Sequence, residues 1–291
     1  MTSHTLNYPG TKHRKTEVNG TTIFYRESGN PDAETILMLH GFPSSSHMFR
    51  TVIEKLSDRY HLVAPDYPGF GFSDTPPPDA FEYTFDHIAD VMDEFIKKLK
   101  PDAYYLMMQD YGGPIGLRIA SRHPDKIKGL IVQNANTYLE GLGEWSQKIG
   151  EMEKAEDYEG ITKLKDWFMS TEGLKAMYVA GASDPSKVDP ISYLTDEAFL
   201  RREGINEIQT TLFADYGNNF PKYEEWQSYL RKHQPPTLII WGVNDRFFTK
   251  EGAKAYTKDV KKADVHLFEG DHFVLEEYAD EAAALIRDFI G

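Results

Sequence analysis

The 291-residue chain contains no cysteine, which excludes disulfides, thiolate metal sites and a cysteine nucleophile. That absence fits a reducing compartment, and a cytoplasmic location is the expectation. Basic residues are few beside acidic ones: 32 Lys and Arg stand against 46 Asp and Glu, for a formal net charge of −14. A nucleic-acid partner is not expected, because neutralising a phosphate backbone needs a basic surface. No apolar run approaches the roughly 18 residues of a membrane-spanning helix. The segment from Met1 to Tyr8 lacks the apolar core of a signal peptide, so neither membrane insertion nor export is expected. The ten histidines show no H-E-x-x-H or paired ligand spacing, and no complete G-x-G-x-x-G or P-loop is present. Neither a metal nor a cofactor is expected.

What is present suits a globular domain with a sizeable core: 40% hydrophobic and 27% charged residues. The length accommodates one large α/β domain with an insertion, or two small domains. Strands are expected at Lys15–Val18 and Thr22–Glu27, joined by a type I′ turn at Asn19-Gly20. Short apolar runs at Thr35–Leu39, His61–Pro65, Ala103–Met108 and Ile127–Gln133 read as strands of a sheet covered on both faces. Between them, Thr84–Leu99 places Ile88, Val91, Met92, Phe95 and Ile96 at helical spacing, one apolar face of a covering helix. The pattern breaks after Asn136, where the chain turns helical and rich in charge and aromatics until about Tyr229. It resumes at Pro236–Trp241 and Asp264–Phe268, and an amphipathic helix spans Leu275–Ile290. The expected fold is α/β, a mostly parallel central sheet flanked by helices with an inserted helical cap. Its parts are a core at 1–136 and 231–291 and a cap at 137–230.

The residue with most chemical content is Asp110. A strand ending at Met108, a turn through Gln109-Asp110-Tyr111-Gly112-Gly113 and a helix from Pro114 is the context that lifts a catalytic side chain above a sheet. A serine there would need a general base before attacking a carbonyl. A carboxylate is already anionic and displaces a leaving group from saturated carbon, forming an ester. His40-Gly41-Phe42-Pro43 follows another strand end, where the Phe42 and Tyr111 backbone N–H groups form an oxyanion hole above Asp110. Asp245 and His272 fall just after two later strands, in the order nucleophile, acid, histidine. His272 would activate water to open the ester, and Asp245 would orient it and stabilise the imidazolium. Asp271 competes for that place but adjoins the histidine, and Asn134 cannot supply the charge. The glycines of Asp66–Ser73 suit a structural turn, and Trp241 is assigned to either an apolar pocket or the core.

These motifs resemble the α/β-hydrolase superfamily in its aspartate-nucleophile branch, the epoxide hydrolases and haloalkane dehalogenases. His40–Pro43, Asp66–Ser73, Gln109–Gly113, Asp245 and His272 carry the resemblance, which covers nearly the whole chain. Within the branch, dehalogenases typically have Trp after the nucleophile and often Asn in the H-G-x-P loop, whereas here Tyr111 and Phe42 occupy those places. Fluoroacetate-type enzymes carry an Arg there, also absent. The resemblance therefore implies an epoxide hydrolase taking a small apolar epoxide and water, with two cap tyrosines on the epoxide oxygen. Tyr216 and Tyr178 are the tyrosines expected in that role. The alternatives are dehalogenation of a halogenated substrate by the same triad and a non-catalytic ligand receptor. Oligomeric state is not legible.

Overall fold

The computed structural model describes residues 10–291, so the expectation for Met1 to Tyr8 lies outside the described residues. Eight strands among these form one sheet: β1 (Lys12–Val18), β2 (Thr21–Ser28), β3 (Thr35–Leu39), β4 (His61–Pro65), β5 (Tyr104–Gln109), β6 (Ile127–Gln133), β7 (Thr237–Gly242) and β8 (Ala263–Phe268). Their order is β1-β2-β4-β3-β5-β6-β7-β8. The β1–β2 and β2–β4 pairs are antiparallel, and the rest are parallel. The hairpin turn residues Asn19 and Gly20 have φ of 51° and 83°, the paired positive angles of a type I′ turn.

Helices α1 (Arg50–Leu56), α2 (Phe85–Leu99) and α3 (Gly112–Arg122) flank the first half of the sheet. Between β6 and β7 lie α4 (Glu144–Lys154), α5 (Tyr158–Phe168), α6 (Thr171–Val179), α7 (Pro190–Leu200), α8 (Ile205–Asp215) and α9 (Tyr223–His233). α10 (Lys250–Asp259) joins β7 to β8, and α11 (Leu275–Ile290) follows β8. This is the expected mostly parallel sheet with a helical insertion.

Side-chain chemistry explains the elements that aim the site. The Thr84 side chain accepts from the His87 N–H and caps α2, which turns Phe85, Ile88, Val91, Met92 and Phe95 inward. Lys97 and Lys98 occupy its last turn, favourably placed at the negative end of the helix dipole. All five residues of β4 and all six of β7 are buried, as a sheet covered on both faces requires. β8 is an edge strand and half-exposed. Because β3 to β8 run parallel, the loops after their carboxyl ends gather at one edge. Trp241, fully buried, donates its indole N–H to the Phe248 carbonyl at 3.0 Å. Of its two expected assignments, the core is the one observed. Among the described residues no helix is long and apolar enough to cross a membrane.

Candidate active site

Asp110 sits between β5 and α3 with φ of 49°, a left-handed conformation that costs a non-glycine residue free energy. The strained turn is held by its neighbours: the Asp110 N–H donates to the Asn134 carbonyl at 3.3 Å, and its own carbonyl accepts from Gly113 at 2.9 Å. Its carboxylate is buried. Oδ1 accepts the Phe42 N–H at 2.7 Å, and the Tyr111 N–H is a second backbone donor to the group. Burial pushes the Asp110 pKa up, while His272 and those two N–H groups pull it down.

His272 follows β8 and is also buried. Its Nδ1 lies 2.8 Å from Asp245 Oδ2, and its Nε2 lies 3.8 Å from Asp110 Oδ2. Asp245 is fully engaged: Oδ1 accepts the Phe247 and Phe248 N–H groups at 2.7 and 3.1 Å, and Oδ2 also accepts from Asn134 at 2.8 Å. Burial lowers the His272 pKa, but Asp245, Asp110 and Asp271 outweigh it and raise the pKa to about 9. Asp110, His272 and Asp245, from three separate strand ends, are thus brought together. Asn134 approaches Asp245 as a hydrogen-bond donor.

The neighbouring motifs hold the loops. Asp66, fully buried, accepts from the Ser46 N–H at 2.7 Å and the Phe72 N–H at 2.8 Å, so its turn is structural. His40 stacks on Tyr67 with ring centres 4.1 Å apart, and burial lowers its pKa to about 4. Asp271 does not reach the imidazole. Its Oδ1 accepts the His272 backbone N–H, and its Oδ2 accepts the Gly181 N–H from the insertion, at 2.8 and 2.7 Å.

A cavity of about 40 Å³ opens onto Asp110 and His272, walled chiefly by Phe42, Tyr111, Phe213, Tyr216, Phe247 and Phe248. Its free volume holds only a few waters, so a substrate must be small or must move these rings. Tyr216 is the expected cap tyrosine found there, its ring 5.8 Å from that of Tyr111. Burial, then Tyr223 and Asp110, raise its pKa well above the ordinary phenol value. Tyr178 is committed elsewhere. Its hydroxyl donates to Asp196 at 2.5 Å, and its ring stacks on Phe273 at 3.8 Å. That is a correction to the expected pair of leaving-group donors: Met177, one residue earlier, lines the cavity in its stead.

Three contacts carried no signal in the sequence: the Asn134–Asp245 bond, the Asp271–Gly181 bond and the packing of Gln109 against His272. Among the described residues no group of three or more His, Cys, Asp or Glu side chains is arranged to hold a metal ion.

Comparison with known proteins bears on the fold and family. The family described as alpha/beta hydrolase fold matches residues 34–279. A haloalkane dehalogenase of Mycobacterium tuberculosis is 42% identical over 278 residues, spanning 92% of this chain and 91% of that protein. An uncharacterized hydrolase of Saccharomyces cerevisiae is 36% identical over 270 residues, spanning 91% and 92%. The crystal structure of wild-type Cfl2 from Burkholderia cenocepacia superimposes with a TM-score of 0.80 over 99% of this chain and 98% of that one, at 22% identity. At that identity the likeness speaks for the fold alone.

Proposed function

The chain belongs to the α/β-hydrolase fold family, and from that premise we propose that it hydrolyses a small halogenated substrate through an ester on Asp110. The observation that carries the proposal is the carboxylate at the elbow. One oxygen is gripped by a backbone N–H at 2.7 Å, and the other stands 3.8 Å from the histidine. The dehalogenase relatives favour the halogenated substrate over the epoxide expected from Tyr111 and Phe42.

In the first step an Asp110 Oδ2 electron pair attacks the saturated carbon. A carbon–oxygen bond forms, the carbon–halogen bond breaks, and its electron pair leaves with the halide. In the second step neutral His272 takes a proton from water, and the oxygen of that water attacks Cγ of Asp110. The oxyanion develops on Oδ1, already held by the Phe42 N–H, with the Tyr111 N–H a second backbone donor to the carboxyl group. Collapse expels the alkoxide, which takes the proton from His272, Asp245 stabilises the imidazolium in between, and the Asp110 acid left behind ionises to solvent and restores the carboxylate. Alkylation also prepares the base. Once Asp110 is a neutral ester, one of the charges that raise the His272 pKa is gone, so the neutral imidazole is favoured when water must be activated. Residues 137–230 act as the cap that excludes bulk water, with 10–136 and 231–291 as the core among the described residues.

One observation favours a second substrate. Tyr216 lines the cavity, and a phenol released from its bond to Tyr223 is a good donor to the alkoxide formed when an epoxide opens. Incubation with 1-bromobutane, fluoroacetate and styrene oxide tests the choice. Halide with alcohol or hydroxyacid supports the dehalogenase reading, diol alone replaces it with the epoxide reading, and no product from any substrate contradicts both.

A further inference from the structure

We propose that Gln109 is a positioning residue for His272, its side-chain amide accepting from the imidazole Nε2 when the ring is protonated, donating to it when the ring is neutral, and yielding that atom to water when the ester is hydrolysed. Gln109 is the last residue of β5 and is fully buried. Its amide nitrogen lies 2.7 Å from His272 Nε2. Nδ1, at the other side of the ring, bears a proton in both charge states and keeps its bond to Asp245. Nε2 is the ring atom whose role reverses when the base gains a proton. The side chain within hydrogen-bond distance of it is Gln109, since Asp110 Oδ2 stands at 3.8 Å.

An amide suits a partner that alternates, because it carries a donor and an acceptor on one planar group. As placed, the donor faces the ring, and Oε1 is buried without a hydrogen-bond partner. A buried oxygen left unpaired is unfavourable. A half-turn of the amide presents that oxygen to an imidazolium N–H, with the heavy atoms in nearly the same places. The loop leaves room for the turn. A Cβ on Gly41 would fall 2.5 Å from Gln109 Oε1, so glycine there keeps the space open. The arrangement also spares the nucleophile: an Nε2–H bonded to Gln109 is withheld from Asp110 Oδ2, which stays free to attack. The role rests on the assignment of Asp110 and His272 made above.

The test is single-turnover kinetics with a substrate that the wild type turns over, following the ester on Asp110 by mass spectrometry. Gln109→Leu keeps the bulk and removes both hydrogen-bonding groups; Gln109→His restores a donor or acceptor nitrogen. Ester decay about tenfold slower with leucine, the effect of one ordinary hydrogen bond, and recovery to within about threefold with histidine are expected. Decay at the wild-type rate in Gln109→Leu overturns the role of Gln109. So does equal slowing in both variants, which marks packing. In wild-type protein, the Gln109 side-chain amide NMR signals should shift with the His272 titration, and signals that stay fixed overturn the proposal whether or not the variants fold. Absence of any ester in wild type or His272→Gln defeats the Asp110 assignment itself, a separate failure.

Discussion

The Phe42 N–H donates to Asp110 Oδ1 over 2.7 Å, so the loop after β3 decides which carboxylate oxygen is held and which is free. That relationship depends on a close approach. A Cβ on Gly41 would stand 2.3 Å from Asp110 Cβ, nearer than real contacts allow. Gly41→Ala should destabilise the protein by about 1–3 kcal/mol, as overpacking does, and slow ester hydrolysis more than ester formation. Denaturant melts and single-turnover kinetics on the variant check both; an unchanged melt with unchanged hydrolysis would show that the loop does not need the glycine.

Asp245 accepts from His272, Asn134 and two backbone N–H groups. Asp245→Asn keeps the shape but removes the charge that favours imidazolium, and turnover should fall by about 10²–10⁴. Circular dichroism should show the fold retained. Wild-type turnover in this variant would remove Asp245 from the mechanism.

Tyr216→Phe keeps the ring in the aromatic wall and removes the hydroxyl. With an epoxide, loss of a donor to the alkoxide should cost about 2–4 kcal/mol in ester formation, by analogy with oxyanion donors. With 1-bromobutane the cost should be no more than about tenfold, because a halide leaving group is a weaker acceptor than an alkoxide. Single-turnover rates on both substrates give the ratio, and equal effects would clear the hydroxyl of a role in ring opening.

The sheet was legible because its strands are short apolar runs bounded by turn residues, and burial on both faces makes that pattern explicit at Ile36–Leu39 and Leu238–Trp241. Asp110, His272 and Asp245 were legible as positions at strand ends because their flanking glycines and order are local features. The cap was not. Met177 and Tyr178 are neighbours on one helix, about 100° apart around its axis, and only tertiary packing decides that Met177 meets the cavity while Tyr178 meets Asp196. Gln109 read as part of the turn after the strand, since its partner lies 163 positions away.

His272 makes stability depend on pH. Its pKa is raised to about 9 in the fold, against about 6.5 unfolded. Its contribution is therefore complete below about pH 6.5 and is lost as pH rises through about 9. The melting temperature of wild type should exceed that of His272→Gln most at the acidic end of this window, and the gap should narrow toward its alkaline end. A gap that widens with pH would contradict the charged imidazole.

The most direct measurement is the mass of the peptide containing Asp110 in His272→Gln after incubation with 1-bromobutane. Without its base the second step should stall, and the peptide should gain the mass of a butyl group in place of a proton, with one halide released per protein. Halide release with no adduct on Asp110 would contradict the two-step mechanism, and an adduct on another residue would move the nucleophile elsewhere.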